Sequence, residues 1–229
     1  MQQHETGLAL LANSVRAHAL PKSATGIRRP DEINDLIDVE RAVSGEIRLH
    51  RQTVDMADAV RTVVATFTRD AHLKRSIEVT TEPAWADVDA MRLAQVLTSI
   101  VANAVKYTQP GGHIRVSLHA DGNNAVVTIE DTGVGISAGL LPFIFDPYVP
   151  ADRTLEHTQA GLGIGLTLVR RLVELHGGTI VAASTGEGRG TTFTVRLAQV
   201  SPLREFTATP APPERTTGGL LGRGEWSIA

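Results

Sequence analysis

The chain contains no cysteine. Disulfides, thiolate nucleophiles and cysteine-ligated zinc are therefore excluded. It also lacks any apolar run near the roughly 18 residues that a membrane helix requires. The first residues imitate a signal peptide only in outline. Gly7–Ala12 is apolar and Ala17-His18-Ala19 resembles a cleavage site, but Glu5 precedes the run where a basic residue would be needed. The chain is accordingly expected to be cytoplasmic, with no membrane segment. Nor is there an excess of positive charge: 22 Lys and Arg stand against 25 Asp and Glu, a net charge of −3. That balance argues against a sequence-independent nucleic-acid binder, and no nucleic-acid partner is expected. What the 229 residues do have is 42% hydrophobic content, enough for a buried core.

Patterning divides the chain into three zones. In residues 1–44, Leu8, Leu11, Val15 and Ala19 follow helical spacing. The run breaks at Pro21–Gly26 and resumes after Asp31 with Ile33, Leu36, Ile37 and Glu40, which predicts a short helical hairpin. Residues 45–200 alternate strands and helices. The pattern predicts a strand at Ile47–Leu49, a helix at Met56–Ala71, a strand at Ile77–Thr81 and a long amphipathic helix at Asp89–Thr108. A hairpin of His113–His119 and Ala125–Glu130 turns at Asp121-Gly-Asn-Asn124. After it come the irregular stretch Ser137–Ala160, a helix at Gly165–His176 and strands at Thr179–Ser184 and Thr191–Ala198. An irregular stretch that long inside a compact domain reads as a lid. Residues 201–229 hold four of the eleven prolines and four glycines, and read as a flexible tail.

Four segments of the middle zone carry chemistry. On the long helix, Ala94, Leu97, Val101, Ala104 and Val105 form an apolar stripe that must pack on a sheet. Gln95, Ser99, Asn103 and Lys106 share another face. That second stripe is either a solvated surface or a site for a metal–phosphate group, with an amide oxygen for the metal and an ammonium for the phosphate. The strand ending at Glu130 runs into Asp131-Thr-Gly-Val-Gly-Ile136, which is either a plain turn or a carboxylate beside a backbone that a ligand can approach closely. An aspartic protease would need two such loops with a small residue next. Here there is one loop, and Val134 follows. Gly161-Leu-Gly-Ile-Gly-Leu166 opens a helix, and glycines there aim free N–H groups and the positive dipole end at an anion. No strand leads directly into it, so it is not a dinucleotide-binding turn. Gly186-Glu-Gly-Arg-Gly-Thr-Thr-Phe193 joins two strands and by itself is a glycine-rich turn.

In order and spacing these segments resemble the sensor histidine kinases. Val101-Ala-Asn-Ala-Val-Lys-Tyr-Thr108 is similar to their N-box, Asp131-Thr-Gly-Val-Gly135 to their first glycine box and Phe145-Asp-Pro-Tyr148 to their F-box. Gly161–Leu166 with His176-Gly-Gly178 resembles the second glycine box, and Gly188-Arg-Gly-Thr191 the third. Ile33–Arg41 with Ser44–Leu49 resembles the end of the family's dimerisation hairpin, so the likeness covers about Ile33–Leu197.

The resemblance implies an α+β fold, a two-layer α/β sandwich in which a mixed, mostly antiparallel sheet is covered by helices, preceded by the short hairpin. It implies a domain order of dimerisation and phosphoacceptor hairpin (1–44), ATP-binding catalytic domain (45–200) and tail (201–229). It implies an ATP-dependent protein-histidine kinase, with ATP and Mg²⁺ as cofactors. A response-regulator receiver domain would be the partner, and the N-terminal helices would form a homodimer. Asn103 would ligate Mg²⁺, Lys106 would contact a phosphate and Tyr107 would lie along the nucleotide. Asp131 would accept the adenine amino group, with Gly133, Gly135 and Ile136 around the base and Thr191 in support. Gly161, Leu162, Gly163, Gly165 and Leu166 would form the phosphate side. Ser99 departs from the pattern, since many relatives carry Asn there. The family's phosphoacceptor is His, an acid, then Leu-Arg-Asn/Thr-Pro; here His4-Glu5 is followed by Thr6-Gly7. His4 is the candidate acceptor and Glu5 its base. The alternative function is a non-catalytic ATP-binding module.

Overall fold

The computed structural model describes residues 46–68, 74–147 and 165–201. The expected hairpin, most of the expected lid and the tail from residue 202 lie outside them. The described residues form seven strands, β1 (Gln52–Asp55), β2 (Ser76–Thr81), β3 (Trp85–Val88), β4 (His113–Asp121), β5 (Asn124–Asp131), β6 (Thr179–Ala183) and β7 (Thr191–Val200). They also form three α-helices, α1 (Met56–Thr68), α2 (Ala90–Tyr107) and α3 (Gly165–Leu175). The strands make one sheet in the order β1-β3-β7-β5-β4-β2, with β6 also paired to β7. Every pairing is antiparallel except β2 with β4. This is the mixed, mostly antiparallel sheet with covering helices that the resemblance implies.

The helices cover one face because the sheet and helix periods agree on where the apolar residues go. Along β5, Ala125, Val127 and Ile129 are buried, and along β7, Phe193, Val195 and Leu197 are buried, each alternate residue facing the helices. From the other side α2 contributes Leu93, Ala94, Leu97, Ile100, Val101 and Ala104 at three- and four-residue spacing. α1 adds Val60, Val63 and Val64, and α3 adds Leu168, Val169, Leu172 and Val173. The β5–β7 register runs from Asn124 opposite Ala198 to Asp131 opposite Thr191. Asp131 and Thr191 therefore continue the inward-facing rows of their strands, and both are buried. A carboxylate and a hydroxyl thus stand on the core side at the end of the layer.

The ends of α2 are fixed by its own neighbours. Asp89 is the N-cap, and its side chain accepts from the N–H groups of Met91 and Arg92. The Asp89 N–H in turn donates to His176 Nε2 at 3.0 Å. Because Nε2 must then be unprotonated, Nδ1 carries the hydrogen and donates it to the Leu172 carbonyl at 2.7 Å. His176 is buried, and that burial pushes its pKa below the usual value of 6.5, with the nearby Arg51 adding to the effect. One neutral imidazole so joins the start of α2 to the end of α3.

One expected strand is corrected. Ile47–Leu49 alternates like a strand but makes no ladder; the strand is Gln52–Asp55. Its antiparallel partner β3 reaches only to Val88, opposite Gln52, and the next residue, Asp89, begins the turn into α2. Upstream of Gln52 no strand edge remains, and the His50 N–H bonds the Asp89 carboxylate at 2.9 Å instead. β3 itself is absent from the sequence expectation.

A candidate nucleotide site

At the C-terminal end of β5 the chain turns under the last residues of α2. The Gly133 N–H donates to Asp131 Oδ1 at 2.8 Å, and the Val134 N–H donates to the Tyr107 carbonyl at 3.1 Å. The approach is so close that a Cβ at Gly133 would lie 2.5 Å from that carbonyl oxygen and 2.7 Å from Asp131 Oδ1. Only a residue without a side chain fits. Two residues on, Gly135 has φ +70°, and a Cβ there would collide with the Gly186 carbonyl.

The turn between β6 and β7 closes the other side. The Gly190 N–H donates to the Gly133 carbonyl at 3.1 Å and the Gly188 N–H to the Val134 carbonyl at 2.7 Å. Ser184 Oγ accepts from the Ile136 N–H at 3.0 Å and donates to the Gly190 carbonyl at 2.7 Å. The two glycine-rich segments, Asp131–Ile136 and Gly186–Phe193, are far apart in sequence and form one hydrogen-bonded platform around Asp131. Desolvation by burial raises the pKa of Asp131 above its usual 3.8, partly offset by hydrogen bonds from the backbone of Gly133 and Thr191. Such a carboxylate is a strong acceptor in a low-dielectric wall, and a ligand amine would compensate its charge.

The second stripe of α2 is not a solvated surface. Gln95 is buried, while Ser99, Asn103, Lys106 and Tyr107 are partly buried. Gln95, Thr98, Ser99 and Ala102 line one wall of a cleft whose other wall is Gly165, Leu168, Val169 and Leu172 of α3. A Cβ at Gly165 would touch Ser99 Oγ at 3.4 Å, so the N-terminus of α3 meets α2 at Ser99. Lys106 Nζ stands 4.8 Å from the centroid of the Tyr107 ring. Between Ser99 and Tyr107 the helix rises about 12 Å, comparable to the reach of an extended nucleoside triphosphate from base to terminal phosphate. Phe145, from the foot of the expected lid, packs edge-on against Phe193 with centroids 6.4 Å apart.

The structure therefore gathers Tyr107, Asp131, Gly133, Gly135, Ile136 and Thr191 at one end of α2, and Gly165 and Leu166 opposite Ser99 nearer its middle. Asn103 and Lys106 occupy the intervening turns. His4, Glu5, Gly161, Leu162 and Gly163 lie outside the described residues. Sequence reasoning missed Ser184. Its only signal is a short hydroxyl at the end of an expected strand, two residues before a glycine.

Residues 88–201 match the family model described as histidine kinase-, DNA gyrase B-, and HSP90-like ATPase. The chain belongs to this ATPase family. Among curated relatives, the histidine protein kinase DivJ of Caulobacter vibrioides is 35% identical over 191 residues, 80% of this chain and 31% of that protein. Hybrid signal transduction histidine kinase D of Dictyostelium discoideum is 31% identical over 173 residues, 72% of this chain and 11% of that protein. The chain thus spans a third or less of the curated relatives it matches. Among solved structures, the mycobacterial sensor histidine kinase MprB aligns with a TM-score of 0.57 at 24% identity, covering 66% of this chain and 99% of that one. Acinetobacter baumannii histidine kinase AdeS aligns with a TM-score of 0.59 at 21% identity, covering 88% and 99%. The fold is that of histidine-kinase catalytic domains, and the family to which residues 88–201 belong binds ATP. Among the described residues no helix is long and apolar enough to cross a membrane.

Proposed function

We propose that this chain works as the kinase part of a two-component phosphorelay, binding Mg-ATP and passing its γ-phosphoryl group to a histidine and then to an aspartate of a response-regulator receiver domain. The observation that carries the reading is the buried Asp131 carboxylate, set opposite Thr191 beside a backbone that Gly133 keeps bare. In this role Asp131 accepts the exocyclic amine of adenine, a donor that guanine replaces with a carbonyl. Gly133, Gly135 and Ile136 form the wall on which the base lies, and Tyr107 flanks it. Lys106 meets a phosphate, and the free N–H groups of Gly165 and Leu166 at the start of α3 supply further donors.

Mg²⁺ fits the donor set. Among the described residues no group of three or more His, Asp or Glu could hold an ion unaided. The amide of Asn103, with the Ser99 hydroxyl one turn away, suits an ion that keeps several waters and is shared with substrate phosphates. When bound, that ion neutralises charge on the phosphates. In the transfer, a neutral imidazole nitrogen forms a bond to the γ-phosphorus as the bridging oxygen leaves with ADP. His4 is the proposed nucleophile, and the Glu5 carboxylate takes the imidazole proton.

Incubation with γ-labelled ATP tests the reading. The parent chain is expected to gain label that is lost in acid, survives alkali and disappears in His4→Gln. Label on an added histidine-bearing hairpin but not on the chain itself would remove His4 and keep the kinase. Bound ATP with no label on either would replace the kinase by a non-catalytic nucleotide module.

A further inference from the structure

We infer that Ser184 is a positioning residue for recognition of the nucleotide base, acting on Asp131 through the peptide that joins Gly190 to Thr191; this role rests on the nucleotide site proposed above. The hydroxyl has one hydrogen and two lone pairs, and the structure uses them. The hydrogen goes to the Gly190 carbonyl at 2.7 Å rather than to the Gly186 carbonyl at 3.4 Å. The lone pairs receive the Ile136 N–H at 3.0 Å and, more distantly, the Gly186 N–H at 3.4 Å. Three segments thereby meet on one oxygen: the end of β6, the loop after Asp131 and the turn before β7.

The consequence follows from peptide planarity. The Gly190 carbonyl and the Thr191 N–H belong to one rigid plane and point in opposite directions, so fixing one fixes the other. Ser184 holds the carbonyl side of that plane, and the N–H side belongs to Thr191, the ladder partner of Asp131, whose carboxylate is held in turn by the Gly133 N–H. Gly190 has φ +70° and its Cα abuts the Asp131 carbonyl, so only a residue without a side chain fits there. The remaining bonds across the platform, Gly190 N–H to Gly133 and Gly188 N–H to Val134, run from backbone to backbone. Ser184 is the side chain that holds the turn leading into Thr191, opposite Asp131, and, through Ile136, the wall on which the base lies. Without it, the Ile136 N–H and the Gly190 carbonyl lose their partner in a partly buried place.

The test uses the full 229-residue chain with Ser184→Ala and with Ser184→Thr, which keeps the hydroxyl. Affinities are measured for ATP, for adenosine (base and sugar only) and for tripolyphosphate (no base). The Asp131 carboxyl is titrated separately by carbon NMR without nucleotide. Ser184→Ala is expected to weaken ATP and adenosine by the same factor, about tenfold, and to leave tripolyphosphate within twofold. Its Asp131 carboxyl titrates at higher pH than the parent's, while Ser184→Thr stays near the parent throughout. Unchanged adenosine affinity in Ser184→Ala, an equal loss for tripolyphosphate, an equal loss in Ser184→Thr, or loss of cooperative unfolding in Ser184→Ala would each overturn the role. A parent chain that binds no ATP overturns the proposed function and this role with it. A parent that binds ATP beside a Ser184→Ala variant that binds it equally overturns this role alone.

Discussion

Asp131→Asn separates recognition from stability at the centre of the site. The substitution keeps the shape and keeps an oxygen for the Gly133 N–H, now 2.8 Å from Oδ1. It replaces the other acceptor with an NH₂ group, which cannot accept from an adenine amine. A hydrogen bond to a charged group contributes about 1.5–3 kcal/mol, so Mg-ATP affinity should fall on the order of 10- to 100-fold. Guanine presents a carbonyl at the same position, and the new NH₂ can donate to it, so the preference for ATP over GTP should vanish or invert. The fold should not suffer. Burial raises the Asp131 pKa, so its ionised form opposes folding once the pH exceeds that raised pKa. The parent loses stability as pH rises through it; the amide, which does not ionise, escapes that loss. At neutral pH the variant should melt at or above the parent temperature. Titration calorimetry with both nucleotides, paired with thermal unfolding, decides the matter. Affinity within twofold of the parent, an unchanged nucleotide preference, or a melting temperature lowered by many degrees would refute the assignment.

Asn103→Ala should leave the melting temperature within a few degrees, weaken Mg-ATP binding at least tenfold and leave ATP binding in EDTA nearly unchanged, which parallel titrations would show. Gly133→Ala must move the Tyr107 carbonyl or the Asp131 carboxylate, and should lower stability by about 1–3 kcal/mol and abolish measurable ATP binding. Urea unfolding and a fluorescent ATP analogue check the two effects. The lowered pKa of His176 makes stability pH-dependent with a defined sign: the unfolded state takes up the proton first, near 6.5, so stability falls as pH drops from there towards the lower folded pKa and levels off below it. His176→Ala should cost about 1–3 kcal/mol at pH 7.5 and flatten that slope, read from urea midpoints across pH 7.5–5.

The elements best read from sequence are those whose pattern is set by burial on one face. α2 runs Ala90–Tyr107 against an expected Asp89–Thr108, and the β4–β5 hairpin turns where Asp121-Gly-Asn-Asn124 indicates. Those two elements carry Asn103, Lys106 and Asp131, so half of the site was legible with them. The edge strands β1 and β3 were not, because four-residue strands with Asp55 and Asp87 in them are defined by their pairing and not by any alternation of their own. The same reason misplaced a strand at Ile47–Leu49. The character of the Gln95–Lys106 stripe also stayed open, since only the docking of α3 at Ser99 decides between solvent and ligand cleft. Ser184 was invisible for a further reason. Its partners Ile136 and Gly190 lie 48 residues before it and six after, and nothing in the local pattern announces that the two loops meet.

The most direct measurement is an amide ¹H–¹⁵N titration of the full chain with Mg-ATP. Saturable shifts are expected at Asp131–Ile136, at Ser184–Thr191 and at Gly165–Thr167, with Mg-GTP producing weaker changes at the first two. Shifts confined to the exposed sheet face around Arg115 and Glu130, or none at millimolar Mg-ATP, would contradict a nucleotide site at the end of α2.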